Sequence, residues 1–425
     1  MKFIFADALD LIDPGYDFLA DRNAVNRKAY WTDKYPHEFF PKPPYDGVLV
    51  SRGIVGDHKL SGKYSDSQAM RFRRVGAREF LRLLNGKHCG LPIFGDCGAF
   101  SYVEAEKPPY TSAEILDFYA DGGFTHGCSV DHIIFDFEPK LMEGLKGGTP
   151  DARERFSITQ ENARVFLRAS RALGRKFKPL GVVQGWSPGS MAEAARNLER
   201  MGYDYIAIGG MVPLASASVH LLLKAIRSRI KPSTRLHLLG FAKAEQITEF
   251  THYGIESFDS TSPLIRAFKD ARANYYIRGK TGSLDYYTAI RIPQATENPR
   301  LLRKAKEGRV SQERLAILES RALADVRGYD KGKVGLERAL NSILLYNREF
   351  IWEHKSSVAQ NERKVATIKR DLRRTLVEMP WKKCNCAVCK QAGVEVIIFR
   401  STNRNKRRGF HNLAVYYSHL RQAIC

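Results

Sequence analysis

The stretch GIESFDSTSP, residues 254–263, states the pattern that decides the fold. A short β-rich run, Glu256–Asp259, ends on a carboxylate, and a turn follows. Working back along the chain, the same design recurs. HLLGF (237–241) breaks at Gly240, YIAIGGM (205–211) at Gly209 and Gly210, and GVVQG (181–185) at Gln184. HIIFDFEP (132–139) breaks at Asp136 and PIFGDCGAF (92–100) at Asp96. The full set of runs is Lys2–Phe5, Gly47–Val50, Leu91–Phe94, His132–Phe137, Leu180–Gln184, Tyr205–Gly209, Arg235–Gly240 and Glu256–Asp259. Several are apolar on consecutive residues, as parallel strands covered on both faces are. Helical patterns lie between them, at Gln68–Leu84, Glu161–Leu173, Met191–Met201 and Val219–Ile230. Eight strands with crossover helices predict an α/β fold of the (β/α)8 barrel type, with a doubly wound sheet as the rival.

The polar endings favour the barrel. In such barrels the site forms at the C-terminal ends of the strands. Any one of these residues alone is a common cap or turn, since Asp favours helix N-caps and Gly favours turns. Six distinctive endings at the same end of successive strands point instead to one mouth holding three carboxylates, one amide and two glycine turns. There is no phosphate loop of the Walker or Rossmann type, no GxSxG elbow, and no internal repeat of 20–50 residues.

Composition bounds the rest. The chain has 425 residues, 44% of them apolar and 27% charged, which suits a globular protein of more than one domain. No apolar run approaches the ~20 residues of a membrane span. Asp7 comes too early for a signal peptide. A cytoplasmic protein with reduced thiols is the expectation. The net charge of +22 is lopsided. Residues 300–425 hold 28 basic and 12 acidic side chains, whereas residues 1–299 hold 40 and 34. That asymmetry predicts a polyanion-binding region attached to a nearly neutral body. Lys369, Arg370, Arg373 and Arg374 fall on one helical face within it and are the expected phosphate contacts.

Near the C-terminus stand WKKCNCAVCK (381–390) and RRGFHNLAVYY (407–417). Cys384, Cys386 and Cys389, with His411 as fourth ligand, make a closed tetrahedral set suited to a structural Zn2+. His419 is the competing fourth ligand. His411 is preferred, and is expected to open a helix over Asn412–Arg421. Cys89, Cys97, Cys128 and Cys425 lack ligand spacing and are read as unligated.

Together these motifs resemble the queuine/archaeosine tRNA-guanine transglycosylase family, over about 90–411 and in the family's order. The resemblance implies base exchange at a nucleic-acid sugar. By it, Asp259 is the nucleophile and Asp96 the acid/base partner. Asp136 reads the guanine edge, Gln184 with Gly209 and Gly210 serves O6, and Phe100 and Leu239 sandwich the base. CxCxxC followed by HNL is similar to the family's zinc signature. The N-terminal PYDGVLVSRGIV resembles the DNA-modifying, DpdA-type branch, which exchanges guanine in DNA for 7-cyano-7-deazaguanine, preQ0.

The departures point the same way. The arginines after the nucleophile are displaced, in SPLIRAFKDAR. Between Asp259 and Cys384 lie 124 residues, more than the tRNA enzymes use. Five residues after the second glycine, where the queuine-type bacterial enzymes carry a Glu for an aminomethyl group, stands Ala215. The expected layout is a catalytic barrel over 1–290, a basic helical insertion over 291–380 and a zinc-binding subdomain over 381–425. The expected partners are DNA, free preQ0 and accessory protein subunits, with no membrane. A tRNA-acting transglycosylase and a non-catalytic nucleic-acid-binding paralogue are the alternatives.

Overall fold

Eight short strands pair in sequence order and close on themselves: β1 (Lys2–Ala6), β2 (Gly47–Ser51), β3 (Ile93–Asp96), β4 (His126–Cys128), β5 (Lys178–Val183), β6 (Tyr205–Ile208), β7 (Arg235–Leu238) and β8 (Ile255–Ser260). All pairs are parallel, and closure sets Lys2 opposite Ser257 and Ile4 opposite Asp259. This computed structural model describes residues 1–84, 86–279, 282–353 and 355–424; Cys425 lies outside them. The (β/α)8 expectation therefore holds. Ile4, Leu49, Phe94, Cys128, Leu180, Val182, Tyr205 and Ala207 fill the barrel interior, and Leu239 packs against that cluster.

One strand differs from expectation. The fourth is His126–Cys128, and His132–Phe137 forms no strand. Its apolar content reflects burial without pairing. Ile133 and Ile134 are almost fully buried, yet the His132 N–H donates to Thr159 Oγ1 and the Ile134 N–H to Gln184 Oε1. These side chains satisfy the donors that a sheet ladder would otherwise have to satisfy.

Helices cover the barrel. Ser112–Gly122 begins at Thr111, whose side chain accepts from the Glu114 N–H, and ends at left-handed Gly123. From this helix Tyr119 lies flat on β3 and sends its hydroxyl to the Cys128 carbonyl at 2.9 Å. A Cβ on Gly95 would come within 2.2 Å of the ring. Glycine there is a condition of the close approach.

Two compact units emerge. Met1–Asp10 and Tyr45–Ser262 belong to the barrel unit; Leu11–Pro44 and Pro263–Gln422 form the other. The second unit holds helices Pro299–Lys306, Gln312–Asp330, Leu336–Ile351 and Val358–Glu378, an antiparallel ribbon of Tyr275–Arg278 with Leu284–Tyr287, and the helix Thr402–Ala423. His411 sits in the middle of that last helix and does not open one at Asn412. The arginines of the basic run before it are buried. Arg404 ion-pairs with Asp21 and Glu395. Arg408 donates to the carbonyls of Ala267, Val396 and Ile398, and burial lowers it to about 9. Among the described residues, no helix is long and apolar enough to cross a membrane.

Replacing Gly95 by Ala forces Tyr119 off the strand. The expected cost is about 1–3 kcal/mol, read as a lowered denaturant midpoint with an unchanged m-value.

Candidate active site and metal centre

Three carboxylates converge where β3, β4 and β8 end. Asp96 is the last residue of β3, Asp259 lies on β8, and Asp131 follows β4 by three residues. Asp259 is almost fully buried. Its Oδ1 accepts the Gly240 N–H at 2.8 Å and faces His237 Nε2 at 3.1 Å. Asp96 accepts the Gly98 N–H at 3.1 Å. Burial first, then the charges of Asp131 and Asp259, raise Asp96 to about 7. A group titrating there can give and take a proton near neutral pH.

Asp131, not Asp136, is the buried carboxylate at this end of the fourth strand. Asp131 is 1% exposed. It accepts from Gln184 Nε2 at 2.6 Å and from the Cys97 thiol at 3.0 Å. Burial pushes Asp131 up, while the hydrogen bonds from Cys97 and Gln184 pull it down. Burial also pushes the Cys97 thiol well above its ordinary value, so it stays a protonated donor. Asp136 lies exposed on the loop that replaces the expected strand, where it accepts from Thr149 Oγ1 at 3.2 Å. Four residues lie between the two aspartates, and the strand expected to carry Asp136 to the mouth is not formed.

The remaining expected residues fall as follows. Gln184 is buried, and Gly209 follows β6 so closely against it that a Cβ there would meet Gln184 Nε2 at 2.3 Å. Gly210 has φ of +70°, and a Cβ would come within 3.0 Å of Gln184 Oε1. The Gly-Gly turn is thus the space the amide needs. Leu239 lines the barrel end beside the inner cluster. Phe100 is 58% exposed, its ring 6.1 Å from that of Phe135. Sequence reasoning missed Asp131, Cys97 and His237. The signal for His237 was its place in HLLGF, where alternation along β7 turns it to the same side as Leu239.

In the second unit, Cys384, Cys386, Cys389 and His411 bring their ligand atoms within 4.8 Å of one another. His411 Nδ1 stands 3.6, 3.3 and 3.2 Å from the three sulfurs. A tetrahedral ion with M–S and M–N bonds of about 2.3 and 2.1 Å needs S···N edges of about 3.6 Å, so the set fits. His411 Nε2 meets the Tyr276 carbonyl at 2.7 Å, which fixes the ring with its Nδ1 lone pair toward the thiols. Tyr275 stacks on the imidazole at 4.0 Å and reaches Cys389 Sγ at 3.2 Å. The four residues can hold a metal, and His411 is the fourth ligand of the set.

Of the expected phosphate contacts, Arg373 pairs with Glu337 at 2.7 Å. Arg374 pairs with Glu378 at 3.0 Å and lies over the Tyr287 ring. Arg370 pairs with Asp371 at 3.3 Å. Lys369, Arg370 and Arg374 are exposed.

Two outcomes follow. Asp131→Asn removes a neighbouring negative charge, so Asp96 should titrate below about 7, observed by carboxyl NMR of the labelled protein. Cys386→Ser should abolish stoichiometric metal in elemental analysis and loosen the second unit, since metal binding supplies folding energy.

No family model matches the chain. It is 39% identical to a DNA-guanine transglycosylase of Salmonella montevideo over 426 residues, spanning 100% of this chain and 97% of the relative. A queuine tRNA-ribosyltransferase of Mannheimia succiniciproducens is 27% identical over 138 residues, 32% of this chain and 33% of the relative. An eight-stranded barrel with carboxylates at its strand ends and full-length identity at this level place the chain in a family of base-exchanging enzymes: it belongs to the DNA-guanine transglycosylases.

Proposed function

We propose that the protein exchanges guanine in DNA for the 7-deazaguanine base preQ0 by double displacement at the deoxyribose C1′. The observation that carries this reading is the pairing of two unlike carboxylates, one held by donors and one inclined to keep its proton. Asp259 attacks C1′ as the C1′–N9 bond breaks. The electron pair leaves on guanine, which takes a proton from Asp96. A covalent Asp259–sugar ester remains. The incoming base gives its proton to Asp96, attacks C1′ through N9 and releases Asp259. The phosphodiester chain is never cut and no other energy source is needed.

Asp131 takes the recognition role assigned from sequence to Asp136. Guanine presents N1–H and N2–H to an acceptor, and Asp131 is the buried acceptor beside Asp96. Gln184 and the thiol of Cys97 orient it. A site built of such partners rejects a base that leaves them unpaired by on the order of 10⁴-fold. Leu239 and Phe100 would cover the faces of the base. The target must leave the stack to enter, at a cost of a few kcal/mol. Ala215 precedes the helix Ser216–Arg227 and offers no carboxylate to an aminomethyl group, which supports preQ0 over an aminomethylated base.

The ion at Cys384, Cys386, Cys389 and His411 would be zinc, which supplies folding energy to the second unit and no step of the exchange. Lys369 would contact phosphate more readily than Arg370, Arg373 and Arg374, whose pairing with acidic side chains must first be broken. The match to a DNA-acting relative along the whole chain supports DNA over tRNA.

The test is nucleoside mass spectrometry of duplex DNA and of tRNA, each incubated with the purified protein and preQ0. Deazaguanine nucleoside is expected in DNA. Its appearance in tRNA alone would transfer the reading to the RNA substrate. Asp259→Asn should bring exchange below detection while leaving DNA affinity unchanged.

A further inference from the structure

His237 is 0% exposed. Its two nitrogens are both engaged. Nδ1 meets Ser257 Oγ at 2.6 Å, and Nε2 meets Asp259 Oδ1 at 3.1 Å. Ser257 Oγ in turn meets the Tyr205 hydroxyl at 2.5 Å. Ser257 and Asp259 point to the same face of β8, Tyr205 comes from β6 and His237 from the strand between them. All four lie inside the barrel unit.

The direction of the chain follows from what each group can do. An ionised carboxylate only accepts, so the Nε2 facing it carries the hydrogen. In a neutral imidazole the other nitrogen then accepts, so Ser257 donates to Nδ1. The Ser257 oxygen is left to accept from the Tyr205 hydroxyl. Every donor in the series Tyr205, Ser257, His237 therefore aims toward Asp259. The reverse tautomer would face the Nε2 lone pair against the carboxylate and leave Ser257 to accept.

The Gly240 N–H donates to the same oxygen, Oδ1, at 2.8 Å. Two donors thus converge on Oδ1. We propose that His237 is a positioning residue, locked in one tautomer by Ser257 and Tyr205, which pins Oδ1 so that Oδ2 is the atom that attacks C1′. This rests on Asp259 being the nucleophile. The residue does not touch the substrate; it fixes the rotamer of the group that does. When the ester forms on Oδ2, Oδ1 becomes the carbonyl oxygen of the acyl–sugar bond. The same two donors then polarise that ester, which makes the carboxylate a better leaving group in the second displacement. No proton moves along the series and no bond changes in it.

The geometry of the ring also follows from its packing. Phe94 lies between two imidazoles, 4.1 Å from His126 and 5.4 Å from His237. Burial lowers His126 to about 3, so it brings no charge to the stack. The slot holds the His237 plane and leaves only its edge nitrogens to choose partners.

The experiment uses the full-length protein and the DNA/preQ0 exchange assay. His237→Leu keeps the bulk and removes both nitrogens. A lost hydrogen bond to a charged group predicts a kcat lower by about 10- to 100-fold with KM for the base unchanged. His237→Gln can return an N–H to the Nε2 position and should recover most of that loss. Ser257→Ala leaves the ring in place but frees the tautomer, and should lower kcat by about 3- to 10-fold on the same reasoning. That variant serves if His237→Leu does not fold. Wild-type kcat in either folded variant, or an equal loss in His237→Leu and His237→Gln, would overturn the assignment. Asp259→Asn run alongside separates the two claims: exchange by that variant would refute the nucleophile itself, whatever the histidine variants do.

Discussion

Three carboxylates share one end of a closed barrel, Asp131 and Asp259 buried and Asp96 partly so, and like charges at close quarters are costly. The arrangement resolves this by treating them differently. Asp259 has two donors on one oxygen. Asp131 has an amide and a thiol. Asp96, which accepts from the Gly98 N–H and from the Ser51 side chain, is raised to about 7 by burial and by the charges of Asp131 and Asp259. Burial and neighbouring charge, more than the number of donors, incline Asp96 to hold a proton. The roles proposed for the acid, the acceptor and the nucleophile rest on that difference. The barrel contributes by making the difference permanent, since the donors hang from neighbouring strands whose register is fixed.

The second unit shows how far composition can mislead about charge. The excess of arginine and lysine there reads as a surface waiting for a polyanion. Part of it is instead interior. Arg400 lies between Asp21 and Glu319, Arg404 between Asp21 and Glu395, and Arg408 among backbone carbonyls. Buried guanidinium groups need several acceptors in a fixed fork, which defines the packing of the long helix around them. Only the cations outside this network are available to nucleic acid, so net charge overstates the grip.

The fold and the metal ligands were legible because they depend on short-range rules. Strand periodicity, cysteine spacing and the polar residue after each run are local signals. Asp259 and Asp96 follow directly from them. Asp131 was not legible, because Ile133 and Ile134 are as apolar as a strand and only tertiary contacts with Thr159 and Gln184 keep them from pairing. The middle-of-helix position of His411 was hidden for a related reason. A run such as NRNKRR signals a solvated segment until its acidic partners, far away in sequence, are known. His237 escaped notice because alternation shows only which way a lone histidine faces, and its partners Ser257 and Asp259 come from another strand.

The segment Leu11–Pro44 belongs to the same compact unit as residues hundreds of positions away. Asp21 receives Arg404 383 residues later, and the Asp13 carbonyl receives Arg407 394 residues later. During synthesis this segment leaves the ribosome before any barrel strand after the first, and its partners are made hundreds of residues later. Until the helix Thr402–Ala423 exists, Asp21 lacks its partner Arg404. Contacts of such separation form late and slowly, because loop closure must be completed before they contribute. The second unit is therefore completed only after the helix Thr402–Ala423 has been made, with its earliest strip waiting for that helix.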